Sequence, residues 1–388
     1  MAQSKNIKLL ALFRFLSNIN FAAPIVIIFF QNITHSYTLA TSVISIVLIS
    51  SAIFEIPTGV FSDYIGRRKT MVLGVTSMLI ALVIFGIAKD YWVLVIGAIF
   101  NGLSKSFYSG NDEAYLYETL EQDQLQNKYH HFAGRLEAVI GVGSVLTALS
   151  SGFIANVSFS LLIWFTLIPQ TLSLFILIFL DDIKRGNRSN NIYTHFKEAL
   201  LEFKHNANLR LLSLSSILGS GFGATAFEFQ SALFNTFWPT WAIGIARSIQ
   251  EFVSLVPIYF SGRIADWIGK TKIMLASNIW GWLMNILAVA FNSFISPLFI
   301  GLSGLLWGPG HFAKESLIQK EFTDKQRATM ASLNSLASSI LFGVFLFIMG
   351  MVADKIGPVK TLLVIQIFLL IPMYLTFKLY KNLRVKLQ

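Results

Sequence analysis

Cysteine is absent from the 388 residues, which excludes disulfides, thiol chemistry and thiolate-bound metals. Charge is scarce at 13%, with 20 acidic against 30 basic residues. A soluble chain of this length would need far more charge on its surface. Polar connections are short except for one stretch, residues 181–208. Apolar residues are plentiful: 54% of the chain is hydrophobic, 35 residues are Phe, and the mean hydropathy is +0.64. Runs of about 20 apolar residues recur, each long enough to cross a bilayer as a helix. Lipid offers the backbone no hydrogen-bond partner, so such runs are helices rather than open strands. The N-terminus is a short polar stub without a small-residue cleavage site, so the first run is expected to remain as an uncleaved span.

Twelve spans fit, at 8–31, 38–60, 70–88, 91–118, 131–154, 158–180, 209–233, 236–260, 272–291, 296–319, 327–351 and 360–380. With these spans the net charge of +10 has a one-sided distribution. Only Lys89, Lys355 and Lys360 fall on one side, and Arg14, Lys105, Arg247 and Lys314 fall inside spans. All other Lys and Arg lie on the opposite side. This is the positive-inside pattern; it places both termini in the cytoplasm and makes nucleic acid an unneeded partner. Residues 181–208 form the expected cytoplasmic linker. Ile192, Phe196, Ala199, Leu200 and Phe203 recur there at helical spacing, as in a helix lying on a membrane surface.

The linker separates two halves that repeat one polar motif. Gly59-Val-Phe-Ser-Asp63-Tyr-Ile-Gly66-Arg67-Arg68-Lys69 is matched by Gly262-Arg-Ile-Ala-Asp266-Trp-Ile-Gly269-Lys270-Thr-Lys272. Each copy joins two apolar runs, and an internal repeat of this size is a common build for secondary transporters. The motif also resembles the signature between the second and third helices of the major facilitator superfamily, and its copy falls between helices eight and nine. The stretch Ser109-Gly110-Asn-Asp112-Glu113-Ala114-Tyr-Leu116-Tyr117-Glu118 resembles bacterial efflux-type members. The glycine-proline motif of drug/proton antiporters is not matched, because no Pro follows Gly141, Gly143 and Gly152.

The resemblance implies an all-α membrane protein of twelve transmembrane helices in two pseudo-symmetric six-helix bundles. Residues 1–180 would form the N-terminal bundle, 181–208 the linker, and 209–388 the C-terminal bundle with a short cytoplasmic tail. It also implies a gating loop that latches the halves in the outward-open state, through Gly59, Asp63, Gly66, Arg67 and Arg68. Glu118 is the expected carboxylate partner of Arg67, with Glu121 as runner-up. Gly262, Asp266 and Gly269 repeat the loop, but Lys270 and Thr271 replace the arginine pair. The alternative is that these residues only fix topology and folding.

An ionisable side chain at mid-bilayer costs about 2.5–3.5 kcal/mol on insertion scales, so it needs a partner or a wet cavity. Lys105, Ser109 and Asp112 lie at i, i+4 and i+7, one face of a continuous helix. Lys105 and Asp112 would stand about 10.5 Å apart along that helix, too far for a direct pair. Trp307, His311 and Lys314 repeat this spacing in the second half, and Glu315 matches Glu113. The first span adds Arg14 and Asn18, and the seventh adds Glu228. The resemblance makes these eleven residues candidates for a substrate cavity, with Asp112 and Glu228 as candidate proton carriers. The bland alternative is mutual neutralisation for packing. Arg247 and Glu251 are spaced to satisfy each other, and Glu137 lies at the shallow end of the fifth span.

The expected function is secondary active transport of a small organic molecule by alternating access, as a monomer in the cell membrane. Proton-coupled export is the first choice. A proton-coupled importer or uniporter is the alternative, and a non-transporting membrane sensor is a rival of another class. No cofactor or metal site and no catalytic set is read from the sequence, so an enzyme is not expected. The topology has a direct test. With single cysteines at Ser189 and Ser36, an impermeant thiol reagent on intact cells should label position 36 alone; labelling at 189 would refute the orientation.

Overall fold

The computed structural model describes residues 5–183, 203, 206–321 and 324–385. The described residues contain helices and no strand. In chain order the helices are α1 Lys5–Asn18, α2 Val26–Thr34, α3 Tyr37–Ile65, α4 Arg67–Ile87, α5 Tyr91–Tyr108, α6 Asn111–Gln122, α7 Tyr129–Val157 and α8 Phe159–Ile178. After the linker come α9 Ala207–Phe237, α10 Thr240–Tyr259, α11 Ser261–Ile268, α12 Lys270–Phe291, α13 Ser296–Ser303, α14 Trp307–Glu321, α15 Asp324–Ile356 and α16 Pro358–Val385. The amphipathic linker helix expected near 192–204 lies outside the described residues, except for Phe203.

Capping chemistry sets several helix starts. Asp90 Oδ1 accepts from the Trp92 and Val93 amides at 2.9 and 3.2 Å and opens α5. Ser36 caps α3 through the Leu39 amide, and Asn206 caps α9 through Leu209. The polar repeat is mostly helix rather than loop: α3 continues through Asp63 to Ile65, and the reversal is confined to Gly66. Gly66 has φ +92°, and its equivalent Gly269 has φ +94°. Both positions favour glycine because a Cβ is strained at such angles.

Helix α8 shows why the chain needs lipid. Its buried face carries Thr166, Gln170 and Ser173, each at 0% exposure, while Ile168, Leu172 and Phe175 are exposed. A helix in water would reverse that arrangement. Eight helical stretches among the described residues are long and apolar enough to cross a membrane. The fourth, seventh, eighth and tenth expected spans are not among them. The fourth is broken between α5 and α6, where Gly110 has φ +69°. The tenth is interrupted by a tighter turn at Gly304–Leu306. The seventh and eighth correspond to α9 and α10, whose hydropathy is diluted by serine, glycine and charge.

The helices form two compact units, Met1–Asn187 with Thr240–Ser248, and Arg188–Pro239 with Ile249–Gln388. In the first, Ile7, Leu10 and Phe13 of α1 pack with Met71 and Val75 of α4, Tyr115, Leu116 and Leu120 of α6, and Leu136 of α7. This cluster clamps α6 beside α1 and α7. In the second, Leu209 and Leu212 join Ala265, Ile273, Met274, Ala313 and Leu379. Also within the first unit, residues 240–248 lie against α7 with no clearance: a methyl on Gly152 would overlap the Trp241 carbonyl, and one on Gly244 the Ala148 carbonyl. Gly152→Val and Gly244→Val should each cost roughly 1–3 kcal/mol or more by overpacking. Gly134, with open space around it, should instead gain about 0.5–1 kcal/mol as Ala. Thermal melting in detergent checks both signs; equal melting temperatures for Gly152→Val and wild type would refute the close crossing.

Candidate functional site

The first polar centre is built where two helices break. Helix α1 ends at Asn18, and residues 19–22 run to a short turn containing Pro24. Side chains satisfy the freed backbone: the Phe21 amide donates to Thr166 Oγ1 at 3.0 Å, and Gln170 Nε2 donates to the Ser17 carbonyl at 2.7 Å. Arg247 Nε donates to the Pro24 carbonyl at 3.4 Å. Asn18 Nδ2 turns back to the Arg14 carbonyl at 2.9 Å. This is how irregular backbone survives at membrane depth.

Arg14 is 4% exposed and stands between two carboxylates. Its Nη2 lies 2.8 Å from Asp112 Oδ2, and its Nη1 lies 3.5 Å from Glu137 Oε1. Its Nε is buried without a hydrogen-bond partner. Asp112 Oδ1 accepts from the Glu113 amide at 2.9 Å in the first turn of α6, where the helix dipole favours an anion. Tyr129 borders the group; burial, with Glu113 adding and Arg14 opposing, pushes its hydroxyl pKa upward. The cluster therefore joins α1, α6 and α7 through one guanidinium.

The break at Ser109–Gly110 corrects the single-face reading of Lys105, Ser109 and Asp112. Lys105 is on the exposed side of α5, whereas Asp112 is on α6. Ser109 is on neither helix and donates to Glu55 Oε1 at 3.3 Å. Helical spacing fails here because it assumes a continuous axis, and a left-handed glycine turns that axis. Glu113 is exposed beside Asp112. Glu137 was not a candidate, because its position at the end of a span made its charge look inexpensive.

In the second unit, Trp307 and His311 stack with ring centroids 5.1 Å apart and planes 6° apart. Lys314 Nζ lies 3.9 Å from Glu315 Oε1. Glu228 is half-buried on α9. Nearby in sequence, Gln230 donates to Asn285 Oδ1 at 3.0 Å and accepts from Gln250 at 3.2 Å. That amide chain was not singled out in the sequence; uncharged polar residues in apolar runs give little signal.

The motif at 59–69 forms a second centre. Arg67 Nε is 3.4 Å from Glu118 Oε1, and its Nη1 donates to Ser62 Oγ and Asn111 Oδ1, both at 2.9 Å. Asp63 Oδ1 lies 3.7 Å from Nη1. Ser62 and Asn111 are also hydrogen-bonded to each other. Arg68 donates to the Leu177 and Ile178 carbonyls at 2.8 and 2.7 Å. Ser62, Asp63, Gly66, Arg67, Glu118 and Asp182 help line a cavity of about 320 Å³. Gly59 leaves open space at its Cβ position. In the second copy Gly262 and Asp266 lie on α11, Gly269 makes the turn, and Lys270 bonds Ser316 instead of a carboxylate.

Inside-out helices, backbone breaks lined by polar side chains and buried charge define a multi-pass helical membrane protein built around polar centres. The Major Facilitator Superfamily profile matches residues 9–340, and the chain belongs to that family of transporters. It is 24% identical over 347 residues to the Bacillus subtilis (strain 168) protein named uncharacterized MFS-type transporter YxaM, covering 84% of each chain. It is 21% identical to multidrug resistance protein 2 of the same organism, covering 81% of this chain and 82% of the relative. The crystal structure of nucleoside transporter NupG shares the fold with a TM-score of 0.79 at 12% identity, covering 97% of this chain and 99% of that one. The chain is thus a secondary transporter of the membrane.

Arg67 and Glu118 are about one-fifth exposed, so their contact is partly shielded from water. Arg67→Ala and Glu118→Ala should each lower the melting temperature by several degrees. The double variant should melt close to Arg67→Ala alone, and Arg67→Lys should not restore wild type because the forked contacts are lost. Additive losses would show that the two side chains are not coupled.

Proposed function

We propose that this transporter exports a small organic molecule in exchange for protons, by alternating access between two bundles of six crossing helices. The observation that carries the reading is the 2.8 Å ion pair between buried Arg14 and Asp112 at the start of α6. A proton on Asp112 cancels that pair and changes what holds α1 to α6. Proton binding then alters a contact between helices, which coupling requires. Glu228 is the second carboxylate in this reading, because it sits on α9 within the opposite half of the sequence. The name of the multidrug relative supports export.

Arg14, Asn18, Lys105, Ser109, Asp112 and Glu113 are assigned to the first half of the cavity wall. Glu228, Trp307, His311, Lys314 and Glu315 are assigned to the second. The stacked Trp307–His311 pair offers a flat apolar face to a substrate ring. The Asp63–Arg67–Glu118 group serves as the cytoplasmic latch. Both termini are cytoplasmic, and the protein works as a monomer in the cell membrane.

A thermal-shift screen of the purified chain against metabolites and drugs identifies a ligand. Proteoliposomes with an imposed pH gradient then test coupling with that ligand. Asp112→Asn should abolish accumulation against a gradient, a loss of at least tenfold, while retaining downhill exchange; Glu228→Gln should do the same if both carboxylates carry protons. If both variants still concentrate the ligand with wild-type pH dependence, a uniporter or another coupling ion replaces this reading.

A further inference from the structure

We propose that Glu137 is a positioning residue that receives the Arg14 guanidinium when Asp112 takes up a proton, an inference that rests on Asp112 as the proton carrier. Asp112 is faced by Arg14 from α1, Tyr108 from α5, its neighbour Glu113 on α6, and Tyr129 and Glu137 from α7. Arg14 supplies the guanidinium among these residues. A proton on Asp112 would leave that guanidinium, 4% exposed, without its nearest anion. An unpaired buried charge is strongly unfavourable, so proton uptake there requires a replacement partner.

Glu137 is placed for that task. It already lies 3.5 Å from Nη1, on a different helix from Asp112, and is 67% exposed. Its carboxylate is open at the shallow end of the fifth span while Arg14 leans toward Asp112. When the guanidinium moves across, its new partner is an anion far less enclosed by protein than Arg14 itself. The buried Nε has no hydrogen-bond partner, so no third contact pins the plane of the guanidinium. The hand-over transfers the tie on α1 from α6 to α7, converting one proton into a change of helix partner. Glu113 is in the same turn as Asp112, and pairing there would keep Arg14 tied to α6.

The test needs no substrate. Difference infrared spectroscopy of the purified full-length protein in lipid, titrated in pH, reads the protonated carboxyl stretch. The band missing in Asp112→Asn belongs to Asp112. In Glu137→Gln the midpoint of that band should move to lower pH by roughly one unit, because the proton must now leave Arg14 without an anion to receive it. Glu137→Asp should recover most of the shift, whereas Glu113→Gln should reproduce less of it. An unmoved midpoint in Glu137→Gln, with the Asp112 band present, would overturn this inference alone. If no band is lost in Asp112→Asn, the coupling reading fails and this inference falls with it. A purely structural role for Glu137 would lower thermal stability without moving the midpoint, which also counts against the proposal.

Discussion

A guanidinium inside an apolar bundle has to be answered by an anion, and the architecture of the first unit follows from how Arg14 is answered. Asp112 approaches to 2.8 Å because α5 stops and α6 restarts at Gly110, which sets the carboxylate on the first turn of a new helix. The restart is secured by the apolar side chains of α6, with Tyr115, Leu116 and Leu120 each at 0% exposure. Burial of these groups holds the ion pair in register. Hydrophobic packing and electrostatics act along one side of the same short helix, with Tyr115 and Leu116 three and four residues after Asp112.

The breaks in α1 and α5–α6 would be liabilities in a structural membrane helix. Each frees backbone groups that hydrocarbon cannot satisfy. At the α1 break Thr166, Gln170 and Arg247 supply the missing partners from neighbouring helices, as polar or charged side chains on otherwise apolar segments. Breaks satisfied by side chains are easier to rearrange than a continuous hydrogen-bond ladder, a property suited to a transporter. The same logic places Thr166, Gln170 and Ser173 on the buried face of α8 and its large apolar residues outside.

The two copies of the polar motif share a backbone solution and differ in side-chain chemistry. Gly66 and Gly269 adopt nearly the same positive φ and are each followed by a helix. Arg67 then gathers Ser62, Asp63, Asn111 and Glu118, whereas Lys270 reaches Ser316. A planar fork can meet several acceptors at fixed angles, and an ammonium on a flexible stem cannot reproduce that arrangement. Duplication preserved the turn while the charge network diverged.

The sequence by itself determined the membrane class, the helical fold and the family, because apolar run length, charge asymmetry and a repeated glycine-bounded motif are local properties of the chain. It also marked Arg14 and Asp112 as costly charges in need of partners, and the family resemblance pointed to Glu118 as the partner of Arg67, which the structure places 3.4 Å away. It did not determine the partners of Arg14 and Asp112. Lys105 and Asp112 share a face only if the helix is unbroken, and the φ of Gly110 decided otherwise. Glu137 looked inexpensive at the end of its span until folding brought it to Arg14 across 123 residues. Ser62, Asn111 and the Gln250–Gln230–Asn285 chain carry no formal charge, so no local penalty announces them. Burial cost can be read from one residue and its neighbours in sequence, but pairing depends on the path of the backbone between distant residues, which only the tertiary structure decided.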